Sequence, residues 1–183
     1  MHIAIAGMGR MGQTHLKSLA LNFPELHLHV VSARKEGHDF ARKFGVEHCY
    51  TDLDEALAHP EVTAVIICCL SDLHVTQVEK AIKAGKHVFV EKPLAMDLAT
   101  IHRLDELAKS RKVHLMVGFN QRFDPTWSRI QQEVVEGKVG ALRLMQITSR
   151  DPIPPSMKFA KASGGLFLDM MIHDFDMVRF VTG

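Results

Sequence analysis

The chain lacks a dominant charge: 22 lysines and arginines stand against 21 acids, a net of +1 over 183 residues. No global positive field is available to hold nucleic acid or an anionic membrane, so neither is expected as a partner. Long hydrophobic runs are missing too. Residues 64–70 form the longest of note, far short of the roughly 20 that span a bilayer. Apolar alternation begins at Ile3 and a glycine cluster follows at once, which leaves no charged leader or cleavage site. Cysteine is scarce. Cys49, Cys68 and Cys69 cannot all pair, Cys68 and Cys69 point to opposite faces of any strand that holds them, and no Cys-x-x-Cys occurs. A reducing compartment and a cytoplasmic location are therefore expected. Twelve histidines are present, but most are scattered singly and no His-x-x-x-His pair places two imidazoles on one helix face. No metal site is expected.

What remains is an ordinary globular composition, 46% apolar and 23% charged, which excludes wholesale disorder and fibrous repeats. Short apolar runs at residues 2–6, 27–32, 64–69, 87–90 and 113–119, with a weaker one at 46–50, read as strands. Between them, residues 14–21, 39–44, 52–58, 74–84 and 98–110 carry apolar residues at three- and four-residue spacing, as helices do. Asp52 and Asp72 stand where N-caps would, and Gly85 where a helix would stop. Strands alternating with helices of this length predict an α/β fold, a doubly wound parallel sheet over residues 1–120. The rest, 121–183, reads as the start of an incomplete α+β domain. It has a helix at 124–136 with Pro125 in its first turn, a glycine turn at 137–140 and a strand at 141–148. A loop with three prolines (Pro152, Pro154 and Pro155) covers 151–163, and a helix covers 164–180.

Gly7-Met8-Gly9-Arg10-Met11-Gly12 directly follows the first strand and opens a helix. In the Gly-x-Gly-x-x-Gly spacing the first glycine permits a tight turn and the second lets a pyrophosphate approach the backbone. The third allows close helix–strand packing. The amides of this turn and of Arg10 and Met11 sit at a helix N-terminus, where the backbone dipole favours phosphate. Dinucleotide binding follows. The second strand selects between dinucleotides, because an NAD site places an acid at its tip to hold the ribose 2′-hydroxyl. Here the tip reads Val30-Val31-Ser32-Ala33-Arg34-Lys35. Arg34 can grip a 2′-phosphate with paired charge-assisted bonds and Ser32 can add a hydroxyl, so NADP(H) is expected over NAD(H).

Lys92, in Glu91-Lys92-Pro93, lies at the carboxyl end of a strand, where α/β folds bind ligands. A lysine there can hydrogen-bond a reacting hydroxyl and lower its pKa. On a helical wheel of about 100° per residue, His173 falls at about +40° and Asp176 at about −20° from Asp169. These polar residues form one stripe on a helix that is otherwise apolar nearly all round, and such a helix should be buried with its stripe along a cleft. His173 suits a general base that takes an alcohol proton, and Asp169, one turn earlier, can orient it.

With these residues assembled, the chain resembles the oxidoreductase family of glucose–fructose oxidoreductase and inositol 2-dehydrogenase, the Gfo/Idh/MocA type. The likeness rests on Gly7–Gly12, Glu91-Lys92-Pro93, Gly118-Phe119-Asn120-Gln121-Arg122-Phe123-Asp124, and Gly164-Gly165 followed by Asp169 and His173. It is nearest to the inositol 2-dehydrogenase subgroup by Ser149-Arg150-Asp151-Pro152 and His173-Asp174-Phe175-Asp176. The resemblance implies that Lys92, Asp169 and His173 are the catalytic trio, that Asn120 and Asp176 contact substrate hydroxyls, and that Glu91 and His74 join the cofactor site. The implied reaction moves a hydride between a polyol, cyclitol or sugar carbinol and the nicotinamide of NADP or NAD.

Leu70-Ser71-Asp72 stands where relatives commonly show Thr-Pro-Asn, which implies a different nicotinamide-side wall. Relatives continue into a broad sheet that backs the substrate pocket and forms a homo-oligomer interface, and the present chain has only the first strand of it. The cofactor half is therefore expected to fold while the catalytic helix is poorly held. The rival reading is a dinucleotide-binding module without turnover, acting as a sensor or partner subunit.

Overall fold

The computed structural model describes residues 1–150, 153, 154, 157 and 163–183. It divides the chain into two compact units, Met1–Gly118 and Phe119–Gly183.

In the first unit six parallel strands lie in the order β3-β2-β1-β4-β5-β6, with β1 (His2–Ala6), β2 (His27–Val31), β3 (His48–Tyr50), β4 (Val62–Ile67), β5 (His87–Val90) and β6 (Leu115–Val117). The order reverses between β1 and β4, and there the crevice of a doubly wound sheet opens. Side chains alternate across each strand, so β1 sends Ile3 and Ile5 to one face and Ala4 and Ala6 to the other. Helices α1 (Arg10–Asn22) and α2 (Lys35–Arg42) cover the first face through Leu16 and Ala41. Helices α3 (Leu53–Ala58), α4 (Ser71–Lys83) and α5 (Leu98–Arg111) cover the second through Leu53, Val78, Ile82 and Leu104. Burial on both faces explains why the 64–70 run is unbroken by polar residues.

Local chemistry sets the helix ends. Asp52 accepts from Asp54 N–H at 2.8 Å while Glu55 reaches back to Asp52 N–H at 3.1 Å, a reciprocal cap for α3. Asp97 caps α5 through Thr100 N–H at 2.8 Å. Gly85, at φ +73°, ends α4 as expected. Asp72 is not the cap of α4. That helix starts one turn before residue 74, with Leu70 at the cap and Asp72 inside the first turn, where its charge still complements the dipole.

In the second unit a 3₁₀ turn (Asn120–Phe123) leads into α6 (Pro125–Val135), capped by Asp124 through Thr126 N–H at 2.8 Å. Pro125 occupies the first turn as its sequence position predicts. Residues 141–150 form no strand, contrary to the sequence pattern. A strand exists only as a hydrogen-bonded pair, and no described segment of this unit pairs with it. The helix expected at 164–180 is not uniform either. A π turn (Phe167–Met171) precedes α7 (Ile172–Thr182). The expected loop with Pro152 and Pro155 falls largely on residues 151, 152, 155, 156 and 158–162, outside the described residues. Among described residues no helix is long and apolar enough to cross a membrane.

Candidate active site

The glycine turn sits at the carboxyl end of β1, beside the switch point. Gly7 has φ +97°, and a Cβ added there would meet the backbone of Cys68 and Cys69 at 2.7–2.8 Å. A Cβ on Gly12 would come within 1.8 Å of the Gly7 carbonyl oxygen, so this glycine lets α1 press against the turn. Gly9 differs: a Cβ there meets nothing within 4 Å. Its lack of a side chain leaves open space rather than protein contact. Gly9 is also the N-cap of α1, without a side-chain cap and with no acid in the first turn. The first amides of α1, from Arg10 onward, therefore lack an intrahelical acceptor and face a positive dipole end. This cradle fits a pyrophosphate.

The tip of β2 is built around Ser32. Its hydroxyl accepts from Arg34 N–H at 3.2 Å and donates to Arg34 C=O at 3.0 Å, and the residue is buried. In this arrangement the Ser32 hydroxyl folds the turn that presents Arg34. Gly37 supports this turn from α2, since a Cβ there would lie 2.4 Å from Ser32 Oγ. Arg34 itself is exposed, and no acid occupies positions 32–35.

At the crest of β4 and β5, Glu91 Oε1 lies 2.7 Å from His15 Nε2 of α1, a pair that ties the helix behind the glycine turn to the strand bearing Lys92. Sequence reasoning did not find His15. Its signal was a polar residue three past Gly12 on a helix face otherwise packed by Leu16. Lys92 is half-buried, joined to Pro93 by a cis peptide. His74 is 1% exposed, with Nδ1 2.8 Å from Pro93 O and Nε2 3.2 Å from Cys69 O. Each ring nitrogen faces a carbonyl, of which a neutral imidazole can donate to one, and the residue ties together the loops after β4 and β5. Burial pushes the Cys68 thiol far up and the Cys69 thiol to about 11, so neither is a thiolate at neutral pH.

In the second unit, Asp169 lies in the π turn and His173 in the first turn of α7, both half-buried. A π turn within a helix closes i→i+5 bonds and so turns less per residue than the α wheel assumes. Phe119 meets His173 edge-on, centroids 6.5 Å apart. Asp176 is 7% exposed, and Arg122 grips it bidentately, Nε to Oδ2 at 2.8 Å and Nη2 to Oδ1 at 2.6 Å. Both carboxylate oxygens of Asp176, the residue expected toward substrate hydroxyls, accept from Arg122 here. These oxygens hold the 3₁₀ turn, which carries exposed Asn120, against α7. The carboxylate in turn raises the pKa of Arg122 further. Sequence reasoning passed over Arg122 although it stands in the quoted Phe119–Asp124 motif.

The helix is also less buried than its composition predicts. Leu166, Phe167 and Phe175 are more than half exposed, because no described element of this unit covers them. Replacing Arg122 with Leu is expected to destabilise this unit by roughly 1–3 kcal/mol, since Asp176 is left buried and unpaired while the lost partner was half-exposed. The double change R122L/D176L should cost less than R122L alone. Urea titrations followed by fluorescence of Trp127, the one tryptophan, measure both.

Comparison with known proteins places these features in context. Residues 1–119 match an oxidoreductase family with an NAD-binding Rossmann fold, and residues 127–183 match the Gfo/Idh/MocA C-terminal domain. Myo-inositol 2-dehydrogenase of Thermotoga maritima is 40% identical over 100% of this chain and 55% of its own length. Inositol 2-dehydrogenase of Rhizobium meliloti is 37% identical over 98% of this chain and 54% of its own. The crystal structure of scyllo-inositol dehydrogenase from Lactobacillus casei, with bound NAD(H) and scyllo-inositol, superposes with a TM-score of 0.87 at 36% identity, covering 100% of this chain and 56% of that one. The chain spans about half the length of the curated relatives it matches.

Proposed function

The chain belongs to the Gfo/Idh/MocA oxidoreductase family, and from that premise we propose that it serves an NADP(H)-preferring dehydrogenase of polyols, cyclitols or sugars, inositol 2-dehydrogenase-like. The observation that carries this reading is the open space at Gly9 on the uncapped start of α1, at the β1/β4 switch point. Gly7, Gly9, Arg10, Met11 and Gly12 would hold the pyrophosphate through backbone amides. Arg34 would hold a ribose 2′-phosphate, with Glu91 and Lys92 at the crest toward the nicotinamide. Bound there, a nicotinamide dinucleotide supplies the two-electron acceptor for a carbinol C–H. Of the chain's own residues, His173 is assigned to take the hydroxyl proton and Asp169 to orient the imidazole and support its charge. Lys92 is assigned to hydrogen-bond the hydroxyl and ease its ionisation, and Asn120 to position the substrate.

Two experiments test the reading. Reduction of NADP at high protein concentration with a panel of cyclitols and sugars tests turnover. The exposed apolar side of the 165–178 segment favours a second reading, a dinucleotide-binding module without turnover, and tight cofactor binding with no hydride transfer would establish that instead. For cofactor choice, NADP is expected to bind more tightly than NAD. Arg34→Ala should weaken NADP by about 10–100-fold, as removal of charge-assisted bonds does, while leaving NAD unchanged. Equal affinities for the two dinucleotides in calorimetry would end the NADP assignment.

A further inference from the structure

The first unit gathers imidazoles that the sequence keeps apart. His2 of β1, His27 and His29 of β2, His48 of β3 and His59 just past α3 lie together near the amino end of β1, away from the glycine turn at its carboxyl end. Ring centroids are 4.4 Å apart for His2–His27, 4.5 Å for His29–His48 and 4.7 Å for His29–His59. One ligand nitrogen from each of His2, His29 and His59 lies within 4.8 Å of the other two. Spacing along the chain hid this, although His27-x-His29 puts two imidazoles on one face of a strand.

The outer contacts of these rings decide which nitrogens converge. His2 Nε2 lies 3.7 Å from the Glu61 carboxylate, and His29 Nδ1 lies 3.3 Å from the Tyr50 hydroxyl. His59 Nδ1 accepts from Glu61 N–H at 3.4 Å, which leaves Nε2 as its ligand atom. His2 Nδ1 and His29 Nε2 then face each other at 3.0 Å, where only one proton fits. A tetrahedral zinc with bonds of about 2.0–2.1 Å separates its ligand nitrogens by roughly 3.3 Å, so this pair needs to open by only a few tenths of an ångström. A carboxylate behind one imidazole and a hydroxyl behind another is the outer arrangement that fixes tautomers in metal sites.

We propose that His2, His29 and His59 form a three-imidazole site for a borderline transition-metal cation, typified by Zn²⁺, with water completing a tetrahedron. The cation would join β1, β2 and the segment after α3, a structural role that does not depend on the dinucleotide reading. His29 is fully buried. His2 and His59 are only half-buried and give the ion a way in.

The test uses the untagged, chelator-treated chain, titrated with Co²⁺ for visible ligand-field absorption and with Zn²⁺ by calorimetry. The expected result is one cation per chain, micromolar or tighter, with an upward thermal shift at saturation. His2→Gln and His59→Gln, both at the accessible rim, should each weaken binding at least tenfold, and His102→Gln should not. Affinity no better than millimolar, or binding unaffected by both rim substitutions, would overturn the proposal. Loss of binding in Cys68→Ser but in neither rim variant would overturn it too, by moving the ion to the His15, Cys68 and Glu91 group beside the glycine turn.

Discussion

Gly9→Asp is expected to cost the chain at least about 100-fold in dinucleotide affinity while leaving its melting temperature almost unchanged. The backbone at Gly9 has φ −76°, which any residue adopts, and a Cβ there meets no protein atom within 4 Å. The new carboxylate would occupy the space the cradle leaves for a pyrophosphate and would itself engage the free amides of α1, as N-cap aspartates do. Like charge then repels what the bare helix end attracts. Gly12→Ala should behave in the opposite way. Its Cβ would sit 1.8 Å from the Gly7 carbonyl oxygen, a contact relieved only by moving α1 away from β1. Overpacking of this kind costs about 1–3 kcal/mol or more, so stability falls first and binding falls with it. Calorimetric titration with NADP and thermal melts of both variants separate the two roles. Wild-type affinity in Gly9→Asp would remove the phosphate cradle from the account, and an unperturbed melt in Gly12→Ala would remove the packing argument.

These glycines show which parts of the molecule the sequence exposes to reading. Local rules located them: a strand of alternating apolar residues, three glycines at fixed offsets, then helical spacing. The same rules located the parallel sheet, because most of its strands are short, largely apolar and followed by a helix. Where structure and sequence pattern differ, some of the causes are partners distant in sequence and others are local hydrogen bonds. Residues 141–148 have the alternation of a strand, but alternation supplies a face and not a hydrogen-bonded neighbour, and no described segment of the second unit supplies one. Asp176 fell on a polar stripe with His173, yet Arg122, 54 residues earlier, takes both of its oxygens. Ser32 stood correctly at the tip of β2, but its hydroxyl closed on its own backbone two residues later, the habit of serine in turns. His74 was placed on the right helix, and only the fold shows its ring set between the carbonyls of Cys69 and Pro93. The π turn has no one-residue signature, so a uniform wheel drawn through Asp169 and His173 treated five residues as α-helical that are not.

The histidine cluster carries the second large effect, and its sign follows from linkage. His29 is 0% exposed, and its pKa falls from an ordinary 6.5 to about 4, with burial as the first cause and the charges of His48, His59, His2 and His27 after it. The unfolded chain therefore binds a proton at His29 between about pH 6.5 and pH 4 that the folded chain refuses. Stability rises with pH wherever the unfolded state holds more protons, so this contribution is complete above about pH 7 and is lost progressively as pH falls toward 4. A shift of this size corresponds to about 3 kcal/mol, since one unit is about 1.4 kcal/mol. The groups that face His29 set the background: His2 at 3.0 Å, Tyr50 at 3.3 Å, the stacked His48, the edge-on His59 and, beyond His2, the Glu61 carboxylate. Urea titrations followed by far-UV circular dichroism at pH 7, 6, 5 and 4.5, in chelator, should show the decline. Glutamine keeps a hydrogen-bonding side chain at position 29 but cannot take up a proton, so His29→Gln should start less stable at pH 7 and then lose much less on acidification. Parallel losses in the two proteins would mean that the carboxylates, not the buried imidazole, govern acid sensitivity. Retention of the slope difference in saturating Zn²⁺ would likewise count against a metal-ligating His29, because a bound cation must add its own competition with protons.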